Sequence, residues 1–200
     1  MIARDKAILD DLERFRVLDR DLIADLHFSH TKQPITQANT VLKRLRRDKY
    51  ITCSTERRKY MYFPADKHIK KDSQKINHFL ELAHFYKEIR KVNEPKIFTV
   101  EPKYGKGLME PDIFMIWCGL SWFVEIQRTV YTDKQFQEKL NRYEQYFLSR
   151  AYEQESWQPE HKKVMPMLWI SGVGRYNIGV RSFRVFQEDV QGMVALLKKK

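Results

Sequence analysis

The sequence predicts a two-part chain of mixed structure, α+β in its N-terminal part and α/β in its C-terminal part. Three observations lead there. Helical periodicity recurs three times before residue 48, then gives way to two short alternating runs around a basic tip. From residue 74 onward, long amphipathic segments flank apolar runs of strand length, the pattern of a sheet packed by helices. Between them lies a polar, Lys-rich stretch over residues 64–74, the predicted junction of domains 1–68 and 75–200.

In the first domain Ala7, Ile8, Leu12 and Phe15 recur at helical spacing and predict a helix over residues 3–15. Val17 and Leu18 lead to Asp19, a good N-cap, and a second helix carrying Leu22, Ile23 and Leu26. Residues 29–34 form a turn. A third helix, over residues 36–48, buries Ala38, Val41, Leu42 and Leu45 and turns Gln37, Asn39, Thr40, Lys43, Arg44 and Arg47 outward. A strand over 50–53, a polar tip over 54–58 and a returning strand over 59–63 complete the order of a winged helix-turn-helix with a basic wing. Such a third helix fits a DNA major groove, where Gln37, Asn39 and Thr40 reach base edges. Lys43, Arg44 and Arg47, with the wing residues Arg57, Arg58 and Lys59, would hold phosphates and fix register. The alternative is a solvated basic helix in a protein-interaction module.

Charge distribution favours nucleic acid. A net charge of +11 makes a polyanionic partner the expectation. Over residues 1–34 six Lys and Arg face seven Asp and Glu, whereas over 35–60 eight bases face only Asp48 and Glu56. The excess is focused, as a footprint on double-stranded DNA requires. A hydrophobic fraction of 42% with 13% aromatics is that of a folding chain, not a disordered one. No apolar run reaches membrane-spanning length and the first residues hold no apolar signal core, so a cytoplasmic protein with no membrane partner is expected. Cys53 and Cys118 form no Cys-x-x-Cys unit, and two reduced, buried thiols are expected rather than a zinc site. The histidines show no ligand spacing; His78 and His84 decorate a helix.

The second domain opens with a long helix over residues 74–92, with Ile76, Phe79, Leu80, Ala83, Tyr86 and Ile89 on one face and Glu81 and Glu88 on or near the other. A strand over 96–101, a Gly-containing loop and a hairpin over 113–127 turning at 118–121 follow. A second long helix over 133–152 carries Phe136, Leu140, Tyr143 and Phe147. Residues 164–171 form a buried strand, 176–187 hold one or two more, and 190–197 form a closing helix before a solvated tail of lysines. Trp117, Trp122 and Trp169 belong to the core rather than to a base-stacking platform. Tyr143 and Tyr146 either pack or line the cleft. Gly172-Val173-Gly174 is no phosphate loop, because no Gly-rich turn ending in Lys-Ser/Thr follows.

The hairpin carries the chemistry. Asp112 opens its first strand after Glu110-Pro111, and Glu125 lies in its second. Side chains alternate along a strand, so Glu125 and Gln127 share one face while Val124 and Ile126 take the other. Folding back brings Asp112 and Glu125 together at one end of the sheet. Two such carboxylates form a hard-oxygen site for Mg²⁺ or Mn²⁺, and a metal there activates water against a phosphodiester. The alternative, a hairpin with one Glu on its solvent face, needs no metal.

The order helix, three strands, helix, strand, with Pro111-Asp112 at the second strand and Glu125-Ile126-Gln127 at the third, resembles the PD-(D/E)XK nuclease superfamily. That resemblance implies Asp112 and Glu125 as metal ligands and a lysine that orients or activates the attacking water. Gln127 stands at the lysine position. It can position a water by hydrogen bonds but supplies no positive charge. The resemblance makes Lys134 or Lys139 the candidate for a migrated lysine, and Glu81 or Glu88 the acid that completes the site. End to end, the chain resembles the replication-relaxation family of plasmids, phages and conjugative elements. It does so through a winged helix in residues 4–28 and 36–51, then Pro111-Asp112, Glu125 and the Lys139-Leu140-x-x-Tyr143 helix. The resemblance implies action on double-stranded DNA of a bacterial mobile element, in its replication or relaxation, with metal-dependent cleavage where that is retained. A homodimer is expected, since winged helices read paired half-sites and one cleft cuts one strand. The alternative class is a transcription or replication regulator with a degenerate nuclease fold, and Gln127 is its main support.

Overall fold

Apolar residues at three- and four-residue spacing fold the start of the chain into α1 (Ala3–Phe15), which buries Ile8, Leu12 and Phe15. In the computed structural model, residues 1–66 and 74–198 are described, with side chains from residue 75 in the second stretch. Residues 67–73 of the predicted junction and the final two lysines lie outside the described residues. Asp19 caps α2 (Arg20–Phe28) as expected, its side chain accepting the Leu22 N–H at 2.7 Å. Pro34, pre-set for a first helical turn, opens α3 (Pro34–Arg47), which buries Ala38, Val41, Leu42 and Leu45. Strands β2 (Ile51–Ser54) and β3 (Met61–Pro64) pair antiparallel around the tip. The lead-in to α2 is itself a short strand, β1 (Leu18–Asp19), paired to Tyr62 and Met61, so the sheet order is β1-β3-β2.

α4 (Gln74–Arg90) departs from expectation. The chain divides into units Met1–Glu88 and Ile89–Lys200, so nearly all of this helix groups with the N-terminal module. The reason lies at the end of α1. Tyr86 packs on Phe15 with ring centroids 5.4 Å apart, and the guanidinium groups of Arg14 and Arg16 lie 5.0 Å and 4.7 Å from the rings of Tyr86 and Phe79. Lys87 reaches Asp25 of α2 at 2.9 Å. Leu82 and Phe85 are buried beside Ile76, Phe79, Ala83, Tyr86 and Ile89, whereas Leu80 of the predicted stripe is only half-buried, and Asn77, Glu81 and His84 leave one face of α4 exposed.

The second unit is built on a five-stranded sheet of order β4 (Ile97–Val100), β5 (Ile113–Trp117), β6 (Leu120–Gln127), β7 (Met167–Gly172) and β8 (Val185–Gln187). The β4-β5-β6 pairings are antiparallel and β6-β7-β8 parallel. β5 and β6 join through two residues, Cys118 at φ 51° and Gly119 at φ 75°, the left-handed pair that a tight hairpin needs. Cys118 is therefore exposed and Cys53 only half-buried, correcting the expectation of two buried thiols. A capping box between Thr132 and Gln135 starts α5 (Asp133–Leu148). The helix ends short of residue 152 because Arg150 turns left-handed, leaving a separate 3₁₀ turn at Ala151–Gln154. The face of the sheet toward α5 packs Phe114, Phe123 and Leu168 with Phe136, Leu140 and Phe147. The tryptophans Trp117, Trp122 and Trp169 form a buried cluster with centroids 5.8 Å apart, as a core reading expects. β8 is the one strand between residues 176 and 187, and α6 (Val190–Lys198) follows it. Among the described residues the fold is thus mixed α/β, with six α-helices and two sheets, and no helix is long and apolar enough to cross a membrane.

Gly172 ends β7 at φ 132°, and a Cβ there would stand 2.0 Å from the carbonyl oxygen of Gln127. That approach lets the Val173 N–H donate to the same oxygen at 3.2 Å. Gly172→Ala therefore combines backbone strain with a clash against main chain. It should lower unfolding free energy by more than about 2 kcal/mol in urea titration, with Gly107→Ala, whose Cβ meets no atom within 4 Å, as the milder control.

Candidate active site and nucleic-acid face

Register places the acidic pair. Ile113 stands opposite Val124 in the β5–β6 ladder, so Asp112 is the cross-strand neighbour of Glu125 one step further on. Asp112 Oδ2 accepts the Ile126 N–H at 2.7 Å, which fixes its carboxylate at the end of the sheet. Glu125, only 4% exposed, is held at both oxygens. Lys139 Nζ donates to Oε2 at 2.5 Å and the Tyr143 hydroxyl donates to Oε1 at 2.7 Å. Lys139 and Tyr143 are one turn apart on α5, so one helix face supplies both. Of the two candidate lysines the structure brings Lys139, not the exposed Lys134, to the site. Tyr143 lines the site as well as packing in the core.

Burial pushes the Glu125 carboxyl up to about 7, and the Asp112 charge adds to the rise against the pull of Lys139 and the Tyr143 bond. For Lys139 burial works to lower the ammonium, but attraction to Glu125 and the bond between them outweigh it and hold it above its ordinary value. Burial, then Glu125, push the Tyr143 hydroxyl well above its ordinary range.

Gln127 is 6% exposed and shares the face of Glu125. Its Nε2 donates to the Tyr176 hydroxyl, which also accepts the Tyr131 N–H at 3.0 Å. Its Oε1 is buried with no protein partner. A cavity of about 10 Å³, lined by Glu125, Gln127, Tyr131, Lys139 and Tyr143 among others, has room for roughly one water. Tyr176 was invisible to motif and spacing, being 49 residues from Gln127 in a loop. Its stacking on Phe136, with centroids 4.0 Å apart, brings it there.

The carboxylates of Asp112 and Glu125 have the hard-oxygen chemistry that suits Mg²⁺ or Mn²⁺, and the unpartnered Oε1 of Gln127 leaves an acceptor for a water beside them, so the residues fit such an ion. A cation and Lys139 would compete for Glu125. Among the described residues no group of three His, Cys, Asp or Glu gathers. Glu81, expected as a third acid, and Glu88 lie on α4 and belong to the first unit.

On the first unit Gln37, Asn39, Thr40, Lys43 and Arg47 are exposed along α3, as expected, and Arg44 is half-exposed. The Thr40 hydroxyl donates to the Thr36 carbonyl at 3.0 Å. Several predicted phosphate contacts are already engaged. Arg44 bonds Asp5 at 2.5 Å, Arg47 bonds Asp48 at 2.8 Å, and Lys59 lies 3.0 Å from Asp21 and 3.5 Å from Asp19. Arg57 donates to Asn77 at 2.8 Å. Acids that merely balanced the N-terminal charge in the sequence thus sit against the basic face. Lys43, Arg46 and Arg58 are exposed and make no ion pair among the described residues. The chain matches no protein-family model, no curated protein and no solved structure.

The raised Glu125 carboxyl has a pH signature in the metal-free protein. The folded chain binds this proton more tightly than the unfolded one, so its stabilising contribution is complete below about pH 4.5 and lost as pH rises through about 7. Urea titrations of wild type and Glu125→Gln at pH 5 and pH 8 should differ in slope with pH. The wild type should lose up to about 3 kcal/mol more across that interval.

Proposed function

We propose that the chain is a double-stranded DNA-binding protein of a bacterial mobile element. In this reading the N-terminal unit is a winged helix-turn-helix. The C-terminal unit is a PD-(D/E)XK-type nuclease whose lysine has moved from the strand to the following helix. The observation that carries it is Lys139 Nζ at 2.5 Å from Glu125, which itself stands cross-strand from Asp112. Those three groups are what metal-assisted hydrolysis requires of the protein when Gln127 occupies the usual lysine position. Asp112 and Glu125 would hold Mg²⁺ or Mn²⁺, which when bound supplies Lewis acidity and an activated water. Tyr143 orients Glu125, Lys139 supplies positive charge beside the developing oxyanion, and the unpartnered Gln127 Oε1 accepts a hydrogen bond from the attacking water. The resemblance to the replication-relaxation family supports a role in replication or relaxation of that DNA, in the cytoplasm, as a homodimer on paired half-sites.

A second reading has its own support. Both Glu125 oxygens already carry a donor, so the Lys139 ammonium stands where a cation would. The same fold then serves a non-catalytic transcription or replication regulator.

Supercoiled plasmid incubated with Mg²⁺ or Mn²⁺ separates the two. The nuclease reading expects nicking that a chelator stops and that Asp112→Ala and Glu125→Ala abolish, while duplex binding stays within about twofold. Gln127→Lys should raise activity. No nicking by any of these proteins, with no Mn²⁺ binding in calorimetry with or without DNA, would leave the regulator.

Duplex binding itself should weaken steeply with salt, since phosphate neutralisation releases counterions. Gln37→Ala or Asn39→Ala should relax base preference by about 1–3 kcal/mol, whereas Arg58→Ala should weaken all sequences alike. Sedimentation of the saturated complex should give two chains per duplex; one chain per duplex rejects the dimer.

A further inference from the structure

Between the start of α1 and the side of α3, within the N-terminal unit, runs an open groove lined by Arg4, Lys43, Arg44, Arg46 and Arg47, with Ile2 and Thr40 beside them. Arg4 and Arg46 play no part in the recognition face that the α3 pattern suggests. Arg4 and Arg44 are both held by Asp5 of α1, which is 1% exposed. One of its oxygens accepts from Arg4 Nη2 at 3.2 Å and the other from Arg44 Nη2 at 2.5 Å, so one buried carboxylate ties together an arginine from each wall. The Arg4 guanidinium also lies 5.0 Å from the centre of the Phe28 ring. Both arginines nevertheless keep outward faces, with side chains 32% and 42% exposed.

We propose that this groove is a preorganised cradle for the phosphodiester backbone of DNA, with Asp5 as the positioning residue that fixes its two arginines. The inference rests on the DNA-binding reading above and extends it to a second wall. A guanidinium has five N–H donors, and Asp5 takes Nη2 of each arginine; Arg4 Nε is buried, so Arg4 offers its Nη1 end and Arg44 its remaining nitrogens to an outside acceptor. Planar guanidinium groups match phosphate oxygens bidentately, and a pair already immobilised loses less side-chain entropy on binding. Five cations against two carboxylates, Asp5 and the Asp48 that Arg47 bonds, leave a net positive channel. The one uncharged polar side chain of the groove, Thr40, donates its hydroxyl to its own helix, so the groove offers an outside acceptor only cationic donors, which suits backbone contact.

The test is fluorescence anisotropy of the full chain with labelled matched and scrambled duplexes across a salt series. Thermal melts check that each variant is folded. Arg4→Gln and Arg46→Gln should each weaken binding roughly tenfold on both duplexes and reduce the salt slope by about 1. Asp5→Asn gives a diagnostic sign. It adds one positive charge, so charge alone would tighten binding, whereas loss of the arginine clamp weakens it several-fold. Tighter or unchanged binding by Asp5→Asn overturns the positioning role. Should that variant unfold, Arg46→Gln decides, since Arg46 makes no ion pair among the described residues. An unchanged salt slope in Arg4→Gln and Arg46→Gln, with wild type still binding, overturns the cradle and leaves the DNA reading standing. A wild type that binds neither duplex overturns both.

Discussion

The two-residue turn at Cys118–Gly119 sets the register on which the C-terminal unit depends. Because strand side chains alternate with period two, a slip of one residue would turn Glu125 and Gln127 to the tryptophan side and Val124 and Ile126 toward α5. The turn fixes the Ile113–Val124 pairing, that pairing sets Asp112 across from Glu125, and the face so defined is the one α5 covers. Burial of Glu125 follows, and from burial comes the need for Lys139 and Tyr143. A carboxylate out of water with neither partner would be expensive, so the helix that covers it must carry its donors.

The same demand organises the N-terminal unit with signs reversed in emphasis. Asp5, Asp11 and Asp19 are all buried, and each holds a cation or an amide. Asp5 takes Arg4 and Arg44; Asp11 takes Arg14 at 2.9 Å and lies 3.1 Å from His27; Asp19 caps α2 and lies 3.5 Å from Lys59. These acids leave a basic face whose geometry is specified rather than one whose charge is merely large. Arginine suits such a face, since its fork can satisfy a buried carboxylate and still offer donors outward.

How much of this could be read from the chain itself varies with the physics involved. The α1, α2 and α3 stripes, the Asp19 cap and the Asp112–Glu125 encounter follow from periodicities of 3.6 and 2, which are local properties. Lys139 was one of two candidates, because helical spacing alone does not tell how a helix is rotated above a sheet. Tyr176 carried no signal, as its approach to Gln127 depends on a loop closing over a long separation. The allegiance of α4 was misread for a related reason: an apolar stripe shows that a helix packs, not which neighbour it packs on. The pairing of Arg44 and Lys59 with acids escaped too, since a charge count along the chain carries no distances.

The bond from the Ile126 amide to Asp112 gives the C-terminal unit an internal reporter. A backbone proton donated to a carboxylate resonates at a field set by that carboxylate's charge, and it exchanges with solvent only when the bond opens. Ile126 lies beyond the last β5–β6 pair, Ile113–Val124, so the Asp112 carboxylate holds its amide in place of a ladder bond and slow exchange there reports that bond. Whatever draws Asp112 away, whether a proton or an ion, frees one amide in the middle strand of the sheet. Occupancy at the carboxylate is thereby written into the magnetic resonance of a single main-chain hydrogen.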